Sequence, residues 1–383
     1  KNKKIWISPS KLYNFVSKNT LVDWLNMYSK GQSMCSTPSS FNLIEGDQNE
    51  SFKNFIMGKG IEFENHVVGM LKNKFPNDYK QLSSIHNIPN FNSTLDYMKD
   101  GVPLIFSGSV RNSKQKTFGI CDILIRSDYI SMVFENIEQE LNLETFNQDF
   151  STTEEFISAP NLGKKNYHYR VIDVKFSTLN LASNGVNLLN NDRAPFYKTQ
   201  LFIYNEALGE MQGYKSNYAY ILGRKWTFKR EGKTFNGNNC VSRLGIVDFN
   251  SKHDENTKNT VKDGIKWITD LTLNGNNWDI ENPSKIELYP NMGIDSGRWN
   301  KYKKELAENI GEITMLWQCG PKNRKIAFTK GIKSWKNKKC NSQNLGINGS
   351  YSTLVDKIIH INRDSPKNVN MLPENFKREY SKQ

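Results

Sequence analysis

The stretch YHYRVIDVKFS, residues 167–177, combines an apolar strand pattern with Asp173 and Lys175 near its middle. Side chains alternate between the two faces of a strand, so Ile172 and Val174 point to one face as core. Asp173 and Lys175 then share the opposite face. Because charged groups are costly to bury in an apolar strand, two interpretations stand: an edge strand with a surface ion pair, or a functional pair.

A second apolar strand, TFGICDILIR at residues 117–126, contains Asp122 between apolar neighbours on both faces. We expect this carboxylate to be buried and to need a metal ion or a hydrogen-bond donor as its partner. The remaining patterns predict an α/β fold. Its predicted elements are a helix from residue 8, a loop at 31–51, a helix over 59–75, strands within 83–125, a helix over 194–208, strands near 217–228 and 242–249, and a helix near 260–273.

The predicted helix over 59–75 carries two acids, and the helical repeat decides which one faces the core. Glu64 shares its face with apolar residues three, four and seven positions later, whereas Glu62 faces solvent. On the next long helix, Gln200 and Tyr204 lie four residues apart and share a face. An alternative interpretation is that both are ordinary polar residues on the surface of a helix. The pair therefore indicates a functional site only in combination with the acids.

Three carboxylates, those of Glu64, Asp122 and Asp173, come from neighbouring elements of the predicted fold. Carboxylates that converge in this way form an oxygen-rich site, which suits Mg²⁺ or Mn²⁺ better than zinc. A lysine beside them can orient or deprotonate a water molecule and balance phosphate charge. The set therefore predicts metal-assisted hydrolysis of phosphodiesters.

Four short pieces in this order resemble the PD-(D/E)XK nuclease superfamily. The resemblance is to its RecB-like branch, which includes the lambda-type exonucleases and the CRISPR-associated RecB-like nucleases. The pieces are GIEFE (60–64), GICD (119–122), IDVK (172–175) and QLFIY (200–204). The resemblance covers roughly residues 8–250. It implies a restriction-endonuclease-like core, a central mixed sheet flanked by helices.

The resemblance also implies a role for each matching residue. A Mg²⁺ or Mn²⁺ ion would be held by Glu64, Asp122, Asp173 and the carbonyl of Val174. Lys175 would serve the attacking water, and Gln200 with Tyr204 would position the DNA strand. Two features depart from the family. About 50 residues separate Asp122 from Asp173, and the late cysteines stand alone, so we expect no iron–sulfur cluster.

The charge of the chain indicates a polyanionic partner, DNA, because the net charge is +13. Residues 301–383 carry 17 Lys or Arg against 7 Asp or Glu. Within them, residues 321–340 hold eight basic residues and no acidic one, with Phe328 and Trp335 interleaved. The alternative is a solvated face. We expect DNA contacts from Arg224, Lys322, Arg324, Lys325, Lys330, Lys333, Lys336, Lys338 and Lys339.

The length predicts two domains. We expect residues 1–275 to form the nuclease domain, with an acidic, solvated insertion at about 131–165, and residues 298–383 to form a basic, mainly helical DNA-binding region. No apolar run is long enough for a membrane helix, and no secretory signal is visible. The five scattered cysteines suit a reducing compartment, so we expect a cytoplasmic protein that acts on DNA and not at a membrane.

These observations predict a metal-dependent deoxyribonuclease, and the resemblance favours an exonuclease on linear DNA. A structure-selective endonuclease or nickase on the same fold is an alternative, and so is a catalytically idle DNA-binding module. The complete set of three acids and one lysine argues against the idle module. A homo-oligomer is compatible with the sequence. The Asn- and Lys-rich composition, together with the resemblance, suggests a viral origin.

Overall fold

The computed structural model describes residues 5–29, 48–134 and 154–364, without the side chains of residues 48–53 and 364. Within these residues the chain divides into two compact units. We call them the first unit (residues 5–16 and 48–269) and the second unit (residues 17–29 and 270–364).

Helices and strands alternate through the first unit, and helices joined by turns make up the second. The helices are α1 Tyr13–Val16, α2 Leu21–Tyr28, α3 Gln48–Lys74, α4 Ile88–Asp100, α5 Ile130–Val133, α6 Ala194–Gln212, α7 Asn256–Asn274, α8 Asn300–Ile310, α9 Pro321–Thr329 and α10 Ser352–Asp364. The strands are β1 Tyr79–Gln81, β2 Leu104–Asn112, β3 Thr117–Arg126, β4 Tyr169–Asn180, β5 Tyr218–Arg230, β6 Lys233–Gly237 and β7 Gly245–Asp248.

The seven strands of the described chain form one open, mixed sheet in the order β1-β2-β3-β4-β5-β6, with β7 also paired to β5. The pairs β1–β2 and β4–β5 are parallel, and the other pairs are antiparallel. Strand β4 therefore lies between two neighbours near the middle of the sheet. The predicted α/β class, a central mixed sheet flanked by helices, is confirmed.

Each face of the sheet is covered by an apolar layer. On one face, Val67, Val68 and Leu71 of α3 pack with residues of β2, β3 and β4. On the other face, α4 and α6 contribute residues such as Met98 and Leu201 to a second cluster. Residues that alternate along β4 supply both layers, as expected for a strand buried on two sides.

Several elements differ from the sequence prediction. The prediction of strands throughout residues 83–125 is wrong where α4 forms. This helix begins after Asn87, whose side chain accepts a hydrogen bond from the Asn90 amide at 2.8 Å, and ends at Gly101 in the left-handed conformation. Helix α3 begins at Gln48, inside the predicted loop and eleven residues before the predicted start at 59. Strands β1 and β6 were not predicted, and the helix predicted from residue 8 is interrupted between α1 and α2.

The second unit has its own apolar core, formed by residues such as Ile313, Ala327 and Val355. Helix α2 joins this unit because Trp24 donates a hydrogen bond to the Gly275 carbonyl at 2.7 Å. The sequence predicts that α2 belongs to the first domain, and the contacts place it in the second unit instead. Residues 330–351 contain no helix or strand, so this part of the predicted helical region is made of turns.

Most of the acidic run, residues 135–153, lies outside the described residues. In its described part, Glu154 is buried, contrary to the predicted solvated insertion, whereas residues 156–158 and 163–165 are exposed. The Glu154 carboxylate accepts hydrogen bonds from Ser216 at 2.9 Å and Asn217 at 2.8 Å. Across the described chain, no helix has the length and apolar character required to cross a membrane.

Candidate active site

The pairing of β3 with β4 brings two of the predicted carboxylates together. Ile123 pairs with Ile172, and continuing this register by one residue places Asp122 opposite Asp173. Oδ2 of Asp122 accepts a hydrogen bond from the Val174 amide at 2.7 Å. Asp122 is half-buried and not fully buried as predicted, and its partner is a backbone N–H. This hydrogen bond fixes the carboxylate against β4.

Asp173 and Lys175 form an ion pair on the same face of β4. The Asp173 side chain is 0% exposed, and its Oδ2 lies 2.6 Å from Nζ of Lys175, whose side chain is 20% exposed. The edge-strand interpretation is therefore wrong, because β4 is a central strand and Asp173 is fully buried. Oδ1 of Asp173 has no hydrogen-bond partner among the described residues.

Burial and the neighbouring charges set the protonation of this pair. Burial raises the pKa of Asp173 to about 7, and although Lys175 opposes this rise, Asp122 reinforces it. Burial alone would lower the pKa of Lys175, but the negative charges of Asp173 and Asp122 outweigh burial and raise the pKa. Lys175 is therefore held as an ammonium group at neutral pH. In this state it can orient a water molecule or balance charge, but it cannot accept a proton.

Helix α3 brings Glu64 toward the two aspartates. The side chain is half-buried, and its pKa is raised to about 7, first by burial and then by the charge of Asp122, against the opposing effect of Lys175. Glu62 lies on the exposed side of the same helix, in an ion pair with Lys59 at 2.6 Å. Of the two acids, Glu64 therefore shares the electrostatic environment of the site.

Gln200 and Tyr204 lie on α6, on the opposite side of the sheet from α3. Gln200 Nε2 donates a hydrogen bond to the Tyr204 hydroxyl at 2.9 Å. Tyr204 is only 6% exposed, and burial followed by the charge of Asp173 raises the pKa of its hydroxyl. The tyrosine therefore packs beneath Asp173 and supports Gln200. That the pair positions a DNA strand, as the resemblance implies, stays a prediction, and the burial of Tyr204 leaves Gln200 as the residue that would contact the strand.

The structure adds Tyr197 to the site, which the sequence analysis did not single out. The Tyr197 ring centroid lies 5.5 Å from Nζ of Lys175. Its position three residues before Gln200 and seven before Tyr204 on α6 is the signal that could have identified it. Arg224 of β5 is exposed, and its guanidinium lies 4.5 Å from the ring centroid of Phe176 on β4.

The donor chemistry of these residues fits a hard divalent cation. All the candidate side-chain ligands are carboxylates, and the buried Oδ1 of Asp173 lacks a donor. Within the part of the chain that the structure describes, no three His, Cys, Asp or Glu side chains are already grouped closely enough to hold a metal ion. The fold thus places Asp122 and Asp173 side by side. Glu64 lies near them, but the three carboxylates are not close enough together to form a complete group of metal ligands. Cys319 and Cys340 are buried, free thiols in the core of the second unit.

One of the DNA contacts predicted for the basic segment 321–340 is wrong. Arg324 is 4% exposed and forms an ion pair with Glu312 at 2.9 Å, so it is not available to DNA. Phe328 and Trp335 are half-buried and pack against the apolar core of the second unit, so a role in folding explains their interleaving with the lysines. The remaining predicted residues of the segment are exposed: Lys322, Lys325, Lys330, Lys333, Lys336, Lys338 and Lys339.

The candidate active site therefore lies within the first unit, and the exposed lysines lie within the second. At its centre are the buried Asp173, the amide-bound Asp122 and the ammonium group of Lys175. Glu64 and Gln200 approach from the two helical layers. A comparison with protein-family models and with curated proteins finds no match to this chain.

Proposed function

We propose that this protein is a metal-dependent deoxyribonuclease that hydrolyses phosphodiester bonds. The observation that carries the proposal is the fully buried Asp173 carboxylate, which is next to Asp122, is ion-paired to Lys175 and has an oxygen without a hydrogen-bond partner. A buried carboxylate is costly unless it is paired or binds a cation. Here one lysine faces two aspartates and Glu64, so the site carries more negative than positive charge.

A divalent cation would neutralise this excess negative charge. The residues that would hold Mg²⁺ or Mn²⁺ are Asp122, Asp173 and Glu64, with the carbonyl of Val174. When bound, such an ion supplies Lewis acidity to the phosphodiester and to the attacking water. The raised pKa values of Asp173 and Glu64, both about 7, mean that protons compete with the ion for these oxygens. Activity should therefore rise as the pH increases through about 7.

The protein's own groups supply positioning and charge. The Val174 amide holds Asp122 in place, so its carboxylate needs no reorientation when a substrate arrives. The ammonium group of Lys175 can donate a hydrogen bond to the attacking water or to a phosphate oxygen, and it stabilises the negative charge that grows on the phosphate. Gln200, held by its hydrogen bond to Tyr204, would contact the DNA strand from the α6 side.

The preference for an exonuclease on linear DNA rests on the resemblance to the lambda-type enzymes. Digestion of 5′- and 3′-labelled linear DNA and of closed circular DNA, with Mg²⁺, Mn²⁺ or EDTA, tests both levels of the proposal. We expect mononucleotides or short products from linear DNA, intact circles, and no reaction in EDTA. Cleaved circles would make the protein an endonuclease or nickase. Binding without cleavage under all metal conditions would make it an idle DNA-binding module.

A further inference from the structure

The hairpin of β2 and β3 carries a row of side chains that leads away from the catalytic carboxylates. Along β3, Phe118, Ile120 and Asp122 are half-buried, while the residues between them are buried. These three side chains therefore share one face. Arg111 of β2 pairs with Phe118, and so lies beside it on that face. The row runs from the tip of the hairpin to Asp122.

His86 lies against this row. Its ring stacks on Phe118, with 4.2 Å between the ring centroids and 25° between the planes. The ring orientation is fixed because Nδ1 lies 2.8 Å from the hydroxyl of Ser109, the residue that pairs with Ile120. The imidazole is half-buried, and burial, followed by the charge of Arg111, lowers its pKa. A neutral, stacked imidazole thus extends the aromatic row.

Trp6 adds a second planar group at the tip of the hairpin. Ile7 beside it bridges Thr117 at the start of β3, and the Ile7 amide donates to the carbonyl of the preceding residue, Lys116, at 2.8 Å. The Arg111 guanidinium lies 3.7 Å from the Trp6 ring centroid, and Nζ of Lys116 lies 5.0 Å from it. Trp6 is half-buried, so part of this stack reaches solvent.

The charges around the hairpin differ between its two sides. On the α6 side, Glu210 accepts a hydrogen bond from the Ser113 amide at 3.1 Å, and Glu206, which is ion-paired with Lys215 at 2.7 Å, accepts one from Gln115 at 3.1 Å. On the face of the row, the charged groups that contact the aromatic rings are Arg111 and Lys116. Phosphates are therefore favoured on the face that carries the row.

We propose that the hairpin row, defined as Trp6, His86, Arg111 and Phe118, binds the unpaired bases of a single DNA strand on its way to Asp122. This inference rests on the proposed nuclease function. Aromatic and guanidinium planes stack on exposed bases without reading sequence, while cationic groups hold the backbone. The bases of an intact duplex are stacked on each other, so the row should favour single-stranded DNA.

The test measures the binding of fluorescein-labelled single-stranded and duplex DNA to the full chain in EDTA, so that cleavage does not enter. Trp6→Ala and His86→Ala should each weaken single-strand binding by about tenfold. Duplex binding should change by less than about twofold, because its bases are not available to the row. Phe156→Ala is the matched control, since Phe156 is 67% exposed in the same unit, and it should bind like the wild type.

A second measurement uses only the wild-type protein and so does not depend on how the variants fold. A single strand containing 5-iododeoxyuridine is cross-linked by ultraviolet light, and the modified peptides are identified by mass spectrometry. Cross-links at Trp6, His86 or Phe118 are expected. Cross-links elsewhere only, or equal losses of single-strand and duplex binding, would overturn the inference. Cleavage with Mg²⁺ is scored separately, so an active enzyme with an unused row would refute this inference and leave the proposed function intact.

Discussion

At the scale of single residues, the site depends on a carboxylate that the fold buries completely. Asp173 is 0% exposed, and its charge is offset by Lys175 at 2.6 Å. The alternation of residues 167–177 was enough to predict that these two side chains share a face. The burial of Asp173 could not be predicted in this way, because it depends on β5 and α6 covering the strand. Neither could the hydrogen bond from Val174 to Asp122, which depends on the register of two strands about 50 residues apart in the chain.

The two acids of α3 provide a matched pair of substitutions. Glu64→Ala should lower DNA cleavage by about 10²-fold or more, the range seen when one electrostatic contact is removed from an active site. Glu62→Ala removes a carboxylate from the exposed side of the same helix and should leave the cleavage rate unchanged. Initial rates with Mg²⁺ at saturating DNA provide the comparison. Loss of activity in Glu62→Ala alone would show that the other helical face serves the site.

The raised pKa of Glu64 predicts a pH-dependent stability of the metal-free protein. The pKa rises from its usual 4.5 to about 7 on folding, so the folded state binds more protons between these values. The stabilising contribution of protonated Glu64 is complete below about pH 4.5 and is lost as the pH rises through about 7. Glu64→Gln cannot ionise and should therefore melt higher than the wild type above pH 7, with roughly 2–4 °C gained per kcal/mol.

The measurement is thermal unfolding in EDTA between pH 4 and 8. Glu62→Gln serves as the control for a change of charge on the exposed side of α3. A gain in Tm for Glu64→Gln that is the same at pH 4 and pH 8 would contradict the assigned cause. A gain that appears only at low pH would contradict its sign.

At the scale of elements, the contact between β3 and α6 depends on a glycine. A Cβ atom at Gly119 would lie 2.1 Å from Cε1 of Tyr204, far inside contact distance. Gly119 therefore allows α6 to approach the sheet and brings the Tyr204 ring against β3. In the motif GICD at 119–122, Gly119 is therefore needed for packing, and Asp122 supplies the acid.

Gly119→Ala should destabilise the protein by about 1–3 kcal/mol, because overpacking forces the Tyr204 ring to move. Gly60→Ala is the matched control, since nothing lies within 4 Å of a Cβ atom at this position in the interior of α3. This control should gain up to about 1 kcal/mol from the higher helix propensity of alanine. Urea unfolding of both variants provides the values. Equal stability of Gly119→Ala and the wild type would show that β3 and α6 do not need this close approach.

Some helices and strands could be predicted from the sequence pattern alone, and others could not. The helix α6 and the strands β3, β4 and β5 follow from long apolar patterns, which local geometry controls. Helix α4 was missed although Asn87 before it, Pro89 in its first turn and Gly101 after it are helix boundary signals. Its interior is rich in Asn, Ser and Thr, which have low helix propensity, and packing against β2 compensates for this.

At the scale of the whole molecule, charge counts predict a polyanionic partner but not which basic residues can reach it. Arg324 has the same formal charge as its neighbours, yet it forms a buried ion pair with Glu312. Its burial depends on tertiary packing that no local pattern reveals. The exposed lysines of the second unit are the residues that we still expect to contact phosphates.

The salt dependence of duplex binding tests these lysines. Each phosphate neutralised adds about 0.9 to the slope of log K against log salt concentration. Four alanine substitutions should therefore flatten the slope by up to about 3.6 units. The substitutions are made at Lys333, Lys336, Lys338 and Lys339.

The control variant removes the same number of positive charges from exposed positions of the first unit. Its alanine substitutions are made at Lys252, Lys258, Lys262 and Lys266. We expect its slope to match that of the wild type, because these lysines lie outside the basic segment. Equal slopes for both fourfold variants would show that the basic segment makes no special contribution to DNA binding.

The measurement that most directly tests the central claim compares the wild type with Asp173→Asn, which keeps the shape of the side chain and removes its charge. DNA cleavage is followed with Mg²⁺ and Mn²⁺, and DNA binding is followed in EDTA. The account predicts that the wild type cleaves only with metal, that Asp173→Asn does not cleave measurably, and that both proteins bind DNA within about threefold of each other, because the phosphate contacts lie mainly outside the carboxylate site. Cleavage by Asp173→Asn at the wild-type rate would contradict it.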